Sequence, residues 1–124
     1  MLNRVILMGR LTNNPEIKIV NEENLRASFV IAVPRNYKNN GEKEVDFIKI
    51  IAWNRNAKFV EQYISKGKSI IVEGEIHIDK YEDKDGKKTN HHYVLASQFY
   101  FCENKKSNSD EKEDEDNGIL DLFN

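Results

Sequence analysis

The order of extended and helical segments is the feature that most constrains the fold of this chain. Five runs are predicted to be extended: residues 4–20 (interrupted by the turn residues Asn13-Asn14-Pro15), 26–33, 47–53, 69–81 and 89–102. One helical segment lies between the third and fourth runs, where Ala57, Val60 and Ile64 recur at helical spacing and Lys66-Gly67 is a typical helix end. This order predicts a mainly β protein with a single helix.

Turn residues and glycines indicate how these strands connect. Asn39-Asn40-Gly41 and Asp85-Gly86 are typical of hairpin turns. Five antiparallel strands with one helix between strands 3 and 4 are the topology of the oligonucleotide/oligosaccharide-binding (OB) fold, which closes its sheet into a barrel. The predicted fold class is therefore all-β, a five-stranded antiparallel OB-fold barrel with one helix.

Charge is distributed unevenly between the body of the chain and its end. The whole sequence has a formal net charge of −2 at pH 7. From Ser107 onward, seven acidic residues and the single base Lys112 give −6, whereas residues 1–106 contain 18 basic and 14 acidic residues and give +4. Blocks of like charge are typical of interaction tails. We therefore expect one domain over residues 1–104 and a flexible acidic tail over residues 105–124.

Cysteine content and apolar runs bear on the cellular compartment. The single cysteine, Cys102, excludes an intrachain disulfide and fits a reducing environment. No long apolar segment follows Met1, and no apolar run approaches the length that spans a bilayer. These features predict a cytoplasmic protein. With one cysteine and three dispersed histidines, neither a metal site nor a cofactor is expected.

The run Phe47-Ile48-Lys49-Ile50-Ile51-Ala52-Trp53 presents two different faces if it forms a strand. Its even-numbered residues are all aliphatic and are typical of a core face. The other face combines the rings of Phe47 and Trp53 with the ammonium of Lys49. A buried face rarely includes an unpaired lysine, whereas aromatic rings interleaved with positive charge suit stacked bases and phosphates. This face therefore predicts a surface for single-stranded nucleic acid.

Several short motifs occur in a characteristic order along the body of the chain. They are Asn3-Arg4-Val5-Ile6-Leu7-Met8-Gly9-Arg10-Leu11, Asn14-Pro15-Glu16, Phe47-Ile48, Trp53-Asn54, Tyr63-Ile64-Ser65-Lys66-Gly67, Val72-Glu73-Gly74, and Tyr81-Glu82-Asp83 with Gly86. In this order they resemble the bacterial single-stranded DNA-binding protein family. The resemblance implies a homotetramer that single-stranded DNA wraps without sequence specificity, in replication, recombination and repair. It also implies an acidic tail that recruits partner proteins.

The resemblance further assigns roles to individual residues. Base-stacking positions fall on Tyr37, Phe47, Trp53 and Tyr81. Phosphate contacts are expected, by family match or by strand face, from Arg4, Lys18, Arg35, Lys49, Arg55 and Lys80. Stacking tolerates any sequence because every base has a π-face. The alternative for Lys18 and Arg55 is an ordinary solvated cation, and the alternative for Tyr81 is packing at the base of a hairpin.

Two segments depart from the family pattern. The strand face that leads to Tyr81 reads Glu75, His77 and Asp79, where basic residues are common in the family, so we expect weaker or more pH-sensitive binding. The chain ends in Asp121-Leu122-Phe123-Asn124, without the usual proline and with phenylalanine in the penultimate position. We still expect Asp121, Leu122 and Phe123 to form the partner-binding tip, through an apolar anchor and acidic steering.

Three other classes of protein compete with this interpretation. A nuclease needs clustered carboxylates for a metal or a general base; Glu73, Glu75 and Asp79 are on one predicted strand, but no accompanying motif supports them, so no enzyme is expected. An RNA-binding barrel of the cold-shock kind would be shorter and would carry aromatic-rich repeats on two adjacent strands. A protein-interaction OB module would turn the same aromatic face toward a partner chain.

Overall fold

The computed structural model describes residues 1–39 and 41–102, apart from the side chains of residues 37–39. Its elements in chain order are β1 (Val5–Leu11), β2 (Glu16–Val20), β3 (Asn24–Asn39), β4 (Glu42–Trp53), α1 (Arg55–Tyr63), β5 (Ser69–Glu82) and β6 (Lys88–Phe101). The first predicted run is thus two strands, β1 and β2, with the predicted turn between them. No helix in this described part of the chain is long and apolar enough to cross a membrane.

Five of the strands close into a barrel in the order β1-β5-β6-β4-β3, and β3 pairs back onto β1 through Leu11 and Ile31. β2 pairs with β3 and extends the sheet beyond the barrel. Among the described residues, the pairings are antiparallel except that of β4 with β6, which run parallel where Ile50 meets Val94. Since α1 lies between β4 and β5, the third and fourth strands of the barrel, the predicted fold class is confirmed.

The inward faces of the barrel strands supply one hydrophobic core. Its largest fully buried side chains are Ile31, Ile50, Ile70, Val60, Val72 and Val94. Helix α1 contacts β3, β4 and β6 and buries Ala57 and Val60. Burying one such aliphatic side chain stabilises a fold by about 1.5–3 kcal/mol, so this core holds the strands in a fixed register without a disulfide.

Two glycines allow neighbouring strands to approach closely. A Cβ atom on Gly9 would lie 2.7 Å from the backbone oxygen of Ala32, and one on Gly74 would lie 2.1 Å from that of Leu95. Either contact would force the strands apart. The register of β5 against β6 shifts at Gly74, which is a common role of glycine in a strand. Gly9 thus marks a close approach of β1 to β3.

Beyond Gly74, strand β5 leaves β1 and continues as a long hairpin with β6. We call residues 75–95 the hairpin arm. Asn3 fixes its base, because its side-chain amide donates to the backbone oxygen of Ile76 (2.9 Å) and its side-chain oxygen accepts from the Ile76 N–H (3.0 Å). At the tip, the carboxylate of Asp83 accepts from the N–H groups of Asp85 and Lys87. The arm is therefore held at both ends.

Candidate nucleic-acid interface

Along β4, the exposure of the side chains follows the alternation of the sequence at all but one position. Phe47 is 67% exposed, Lys49 is exposed and Trp53 is half-buried. Ile50 and Ala52, on the opposite face, have no exposed surface. The exception is Ile51, which shares the face of Phe47 but is only 9% exposed. It is covered because Ser28 of β3 and Leu95 of β6 flank it on both sides.

Register places a row of cations beside Trp53. Lys18 of β2 pairs with Arg26 of β3, and Arg26 pairs with Trp53 of β4. Paired residues of an antiparallel ladder share one face of the sheet, so two positive charges lie in line with the indole. Sequence reasoning included Lys18 and missed Arg26. Arg26 could be identified only from the pairing of β2, β3 and β4, because the alternation within β3 alone does not reveal which of its residues lies opposite Trp53.

Short side chains next to Phe47 and Lys49 leave both accessible. Ala32 of β3 pairs with Phe47, and Val30 pairs with Lys49. On the other side, an open cleft of about 250 Å³ is lined by Phe47, Lys49 and Tyr93 of β6, among others. The ring and the ammonium of β4 therefore face open space on both sides. Bases that stack on Phe47 would meet Lys49 within the same groove.

Tyr81 and Lys80 lie on opposite faces of the hairpin arm. Tyr81 is 51% exposed, its ring stacks on that of His91 with centroids 4.5 Å apart, and its hydroxyl contacts His91 Nε2. Lys80 pairs with Asn90, and strand alternation turns it to the other face. The two residues predicted to contact nucleic acid therefore lie on different sides of the arm.

The predicted phosphate contacts divide into two groups. No carboxylate in the described part of the chain lies within ion-pair distance of Lys49, Arg55 or Lys80. In the other group, Arg4 pairs with Glu73, Lys18 lies 3.8 Å from Glu16, and Arg35 pairs with Glu44 and Asp46. An exposed cation that already has a carboxylate partner must exchange it to bind a phosphate. The first group is therefore better prepared for that role.

Arg35 has the most extensive of these interactions. Its Nε and Nη2 atoms donate to the two carboxylate oxygens of Asp46, each at 3.0 Å, and its Nη1 lies 3.0 Å from Glu44. These hydrogen bonds lower the pKa of Asp46 from its ordinary value; burial opposes the shift, and the charge of Arg35 adds to it. The arrangement ties β3 to β4 at the start of the hairpin that carries Tyr37. Arg35 was predicted to contact phosphate, but in the structure its guanidinium is paired with the carboxylates of Asp46 and Glu44.

Arg4 and Arg55 do not line the cleft that Phe47 and Lys49 share. Glu73, the partner of Arg4, also accepts a hydrogen bond from the hydroxyl of Tyr100 at 3.0 Å, which puts Arg4 on the β1-β5-β6 side of the barrel. Arg55 begins α1 and lines a shallow depression with Phe59 and Gln98. Strand pairing places Lys18, Lys49, Phe47 and Trp53 on one surface, whereas Arg4 is engaged by Glu73 and Arg55 lines the depression at the start of α1.

Some predicted positions are not described by the structure. Tyr37 belongs to β3, but its side chain lies outside the described residues. The predicted partner-binding tip, Asp121, Leu122 and Phe123, also lies outside them. The roles of these four residues stay predictions.

Comparison with known proteins assigns the family. The sequence matches the family described as "Single-strand binding protein family" over residues 2–102. Single-stranded DNA-binding protein 1 of Staphylococcus aureus is 40% identical over 114 residues, which cover 91% of this chain and 73% of that protein. Single-stranded DNA-binding protein 2 of Listeria monocytogenes is 38% identical over 109 residues, which cover 87% of this chain and 68% of that protein.

A solved structure agrees with the barrel topology. The "Plasmodium falciparum SSB complex with ssDNA" matches with a TM-score of 0.70 and 24% sequence identity, over 77% of this chain and 87% of that chain. At this identity the likeness supports the fold. The family match, in contrast, spans almost the whole described sequence and is accompanied by relatives near 40% identity. The chain therefore belongs to the single-strand binding protein family, whose members are not enzymes.

Proposed function

We propose that this protein binds single-stranded DNA without sequence specificity, by stacking bases on Phe47, Trp53 and Tyr81 and by neutralising phosphates with nearby cations. One observation carries the proposal. The ring of Phe47 is 67% exposed, and it lies beside the ammonium of Lys49, which has no ion-pair partner among the described residues. Stacking contributes about 1–3 kcal/mol per base whatever the base. The membership of the family and the names of its relatives agree with this ligand.

Several cations are proposed to share phosphate binding, and those without a carboxylate partner are expected to contribute most. Lys49 and Arg26 would bind phosphates beside the stacking surface of β4. Lys80 would bind phosphate on the inner face of the hairpin arm, and Arg55 would do so at the start of α1. Arg4, Lys18 and Arg35 contribute by exchanging a carboxylate for a phosphate, so each is expected to add less. Tyr37 is proposed as a further stacking residue on the hairpin between β3 and β4.

We also propose that the protein assembles as a homotetramer. The outer face of β1, β5 and β6 carries an apolar patch formed by Ile6 (64% exposed), Met8 (60%), Ile71 and Tyr100 (47%). Contiguous apolar surface of this kind is typical of a protein interface, and it lies apart from Phe47. A charge at its centre, Met8→Glu, is expected to lower the mass measured by analytical ultracentrifugation. An unchanged mass would exclude this face as the interface.

The acidic tail is proposed to recruit other proteins. Residues 105–124 form this second segment, and Asp121, Leu122 and Phe123 are proposed to anchor it in basic, apolar pockets of replication, recombination and repair proteins, in the cytoplasm. Supporting this, seven acidic residues precede or accompany the apolar tip. Replacing Leu122 and Phe123 by alanine is expected to abolish capture of such proteins without weakening DNA binding.

A fluorescence-anisotropy experiment tests the proposed ligand. Labelled dT and dA oligomers of equal length are expected to bind with similar affinity, and an abasic phosphate chain of that length is expected to bind at least tenfold more weakly because it offers no rings. Duplex DNA is a further control. Equal binding of RNA would favour an RNA-binding OB protein, and no binding of any oligomer would favour a protein-interaction module.

A further inference from the structure

Asn54 connects β4 to α1 in a backbone conformation that few residues adopt. It follows Trp53, the last residue of β4, and has φ 53° and ψ −113°. A positive φ is uncommon for residues other than glycine, and asparagine tolerates it better than most. In this conformation the backbone oxygen of Asn54 turns into α1 and accepts from the N–H of Lys58 at 2.9 Å. The same oxygen therefore does not bond to β3.

The side chain of Asn54 replaces this oxygen in the β3–β4 ladder. Its Oδ1 atom accepts from the N–H of Leu25 at 3.0 Å, and the backbone N–H of Asn54 donates to the oxygen of Leu25 at 2.7 Å. In a regular antiparallel ladder, the two residues of a hydrogen-bonded pair exchange both backbone bonds. Leu25 and Asn54 reproduce this exchange with an amide side chain in place of one carbonyl. The ladder thus continues one pair beyond the end of β4.

This additional pair lies next to the pair formed by Arg26 and Trp53. Hydrogen-bonded and non-hydrogen-bonded pairs alternate along an antiparallel ladder. Arg26 and Trp53 therefore exchange no backbone hydrogen bonds with each other, and the pairs on either side hold them in register. Leu25 and Asn54 form the outer of these two neighbouring pairs. Because Trp53 is only half-buried, the outer pair limits how far its backbone can move away from β3.

We infer that Asn54 is a positioning residue for DNA binding, whose side-chain oxygen holds the indole of Trp53 beside Arg26 before a nucleotide arrives. This inference rests on the proposed stacking of bases on Trp53. A ring that is already held in its binding orientation loses less conformational freedom when a base stacks on it. Loss of the bond from Leu25 is therefore expected to weaken DNA binding although neither Trp53 nor Arg26 is changed.

Three variants isolate the side-chain oxygen of Asn54. Asn54→Gly removes the oxygen and keeps the positive φ accessible. Asn54→Asp is the conservative variant, because it keeps an acceptor oxygen in the same position. Asn21→Gly is the matched control: Asn21 lies in the turn between β2 and β3, has φ 54°, and its side chain has no hydrogen bond to any residue that the structure describes. Asn54 and Asn21 are both exposed, so none of these changes opens a cavity.

The first measurement uses the free protein. Time-resolved fluorescence anisotropy reports the local motion of Trp53, which is the only tryptophan in the chain. Asn54→Gly is expected to increase the amplitude of the fast local motion of the indole. Asn54→Asp and Asn21→Gly are expected to match the unmodified protein. An unchanged amplitude in Asn54→Gly, or an equal increase in Asn54→Asp, would refute the role assigned to the oxygen.

The second measurement is a double-variant cycle with labelled dT, followed by the anisotropy of the label. In the unmodified background, Asn54→Gly is expected to weaken dT binding by about 2- to 10-fold, the effect of one hydrogen bond. In the Trp53→Ala background the same change is expected to have no effect, because Asn54 acts through the indole. Asn21→Gly is expected to bind dT normally.

The outcomes separate this inference from the proposed function. If Asn54→Gly weakens dT binding equally in both backgrounds, it acts on the fold in general, and the inference is refuted. If Asn54→Gly binds as tightly as the unmodified protein, the inference is refuted while the proposed function stands. If the unmodified protein does not bind dT, the proposed function itself fails. Circular dichroism verifies that each variant is folded, and Trp53→Leu supplies the second background if Trp53→Ala does not fold.

Discussion

Arg26 of β3 lies directly opposite Trp53 of β4 in the antiparallel ladder. The two side chains share the outer face of the sheet, with Lys18 of β2 next in the same row. In such a row the indole of Trp53 offers a stacking surface for a base, and the guanidinium of Arg26 offers a partner for the phosphate beside it. The relationship joins three strands and gives the central part of the proposed interface its positive charge.

The first prediction concerns Arg26. Arg26→Ala is expected to reduce the slope of log affinity against log salt by about 0.7, because one phosphate contact is lost. Arg26→Lys keeps the charge and serves as the matched control, with a slope near that of the unmodified protein. Salt titrations of dT binding measure both slopes. An alanine variant with an unchanged slope would exclude Arg26 from the interface.

The second prediction concerns the stacking ring of β4. Phe47→Ala is expected to weaken dT binding by about 1–3 kcal/mol. Little change in unfolding free energy is expected, because the side chain is 67% exposed. Tyr63 of α1, which is 51% exposed, provides the comparison, and Tyr63→Ala is expected to bind dT normally. Equal losses in the two variants would mean that aromatic exposure in general, not the β4 surface, governs binding.

The third prediction contrasts two cations. Lys49 has no ion-pair partner among the described carboxylates, whereas Arg35 is engaged by Asp46 and Glu44. Lys49→Ala is therefore expected to reduce the salt slope by about 0.7, and Arg35→Ala by clearly less, since its phosphate contact competes with carboxylates. The opposite order of the two slopes would show that Arg35 releases its partners when DNA binds.

The fourth prediction follows from the lowered pKa of Asp46. A carboxyl whose pKa is lower in the folded state stabilises the fold fully above about pH 4, and that stabilisation is lost as the pH falls through the folded value. Asp46→Asn is thus expected to show a smaller drop in urea midpoint between pH 6 and pH 3 than the unmodified protein. Glu61→Gln, on the exposed side of α1, is expected to retain the full drop.

The sequence was sufficient for features that depend on local pattern. Alternation along residues 47–53 predicted that Phe47 and Lys49 would be open and Ile50 buried, because the two faces of a strand differ in composition. The position of α1 between the third and fourth barrel strands followed from spacing in the same way. The fold class then followed, since this arrangement of elements is compatible with few closed sheets.

Features that depend on pairing between distant strands were not predictable in this way. Ile51 shares a strand face with Phe47 and Lys49, yet it is covered because Ser28 and Leu95 flank it. The parallel pairing of β4 with β6 was not predictable either, because the two strands become neighbours only when the barrel closes. Within a single segment, Asn54 occupies the position before α1, yet its side chain forms no cap and instead accepts from the N–H of Leu25. In each case a tertiary contact outweighed the local signal.

The quenching of Trp53 fluorescence by dT oligomers tests the central claim most directly, because Trp53 is the only tryptophan in the chain. If bases lie against the outer face of β4, the indole emission falls and saturates as dT is added, and Phe47→Ala shifts the midpoint to higher concentration. An abasic phosphate chain at equal charge is expected to quench far less. Emission that dT leaves unchanged, at concentrations where anisotropy shows binding, would contradict the claim.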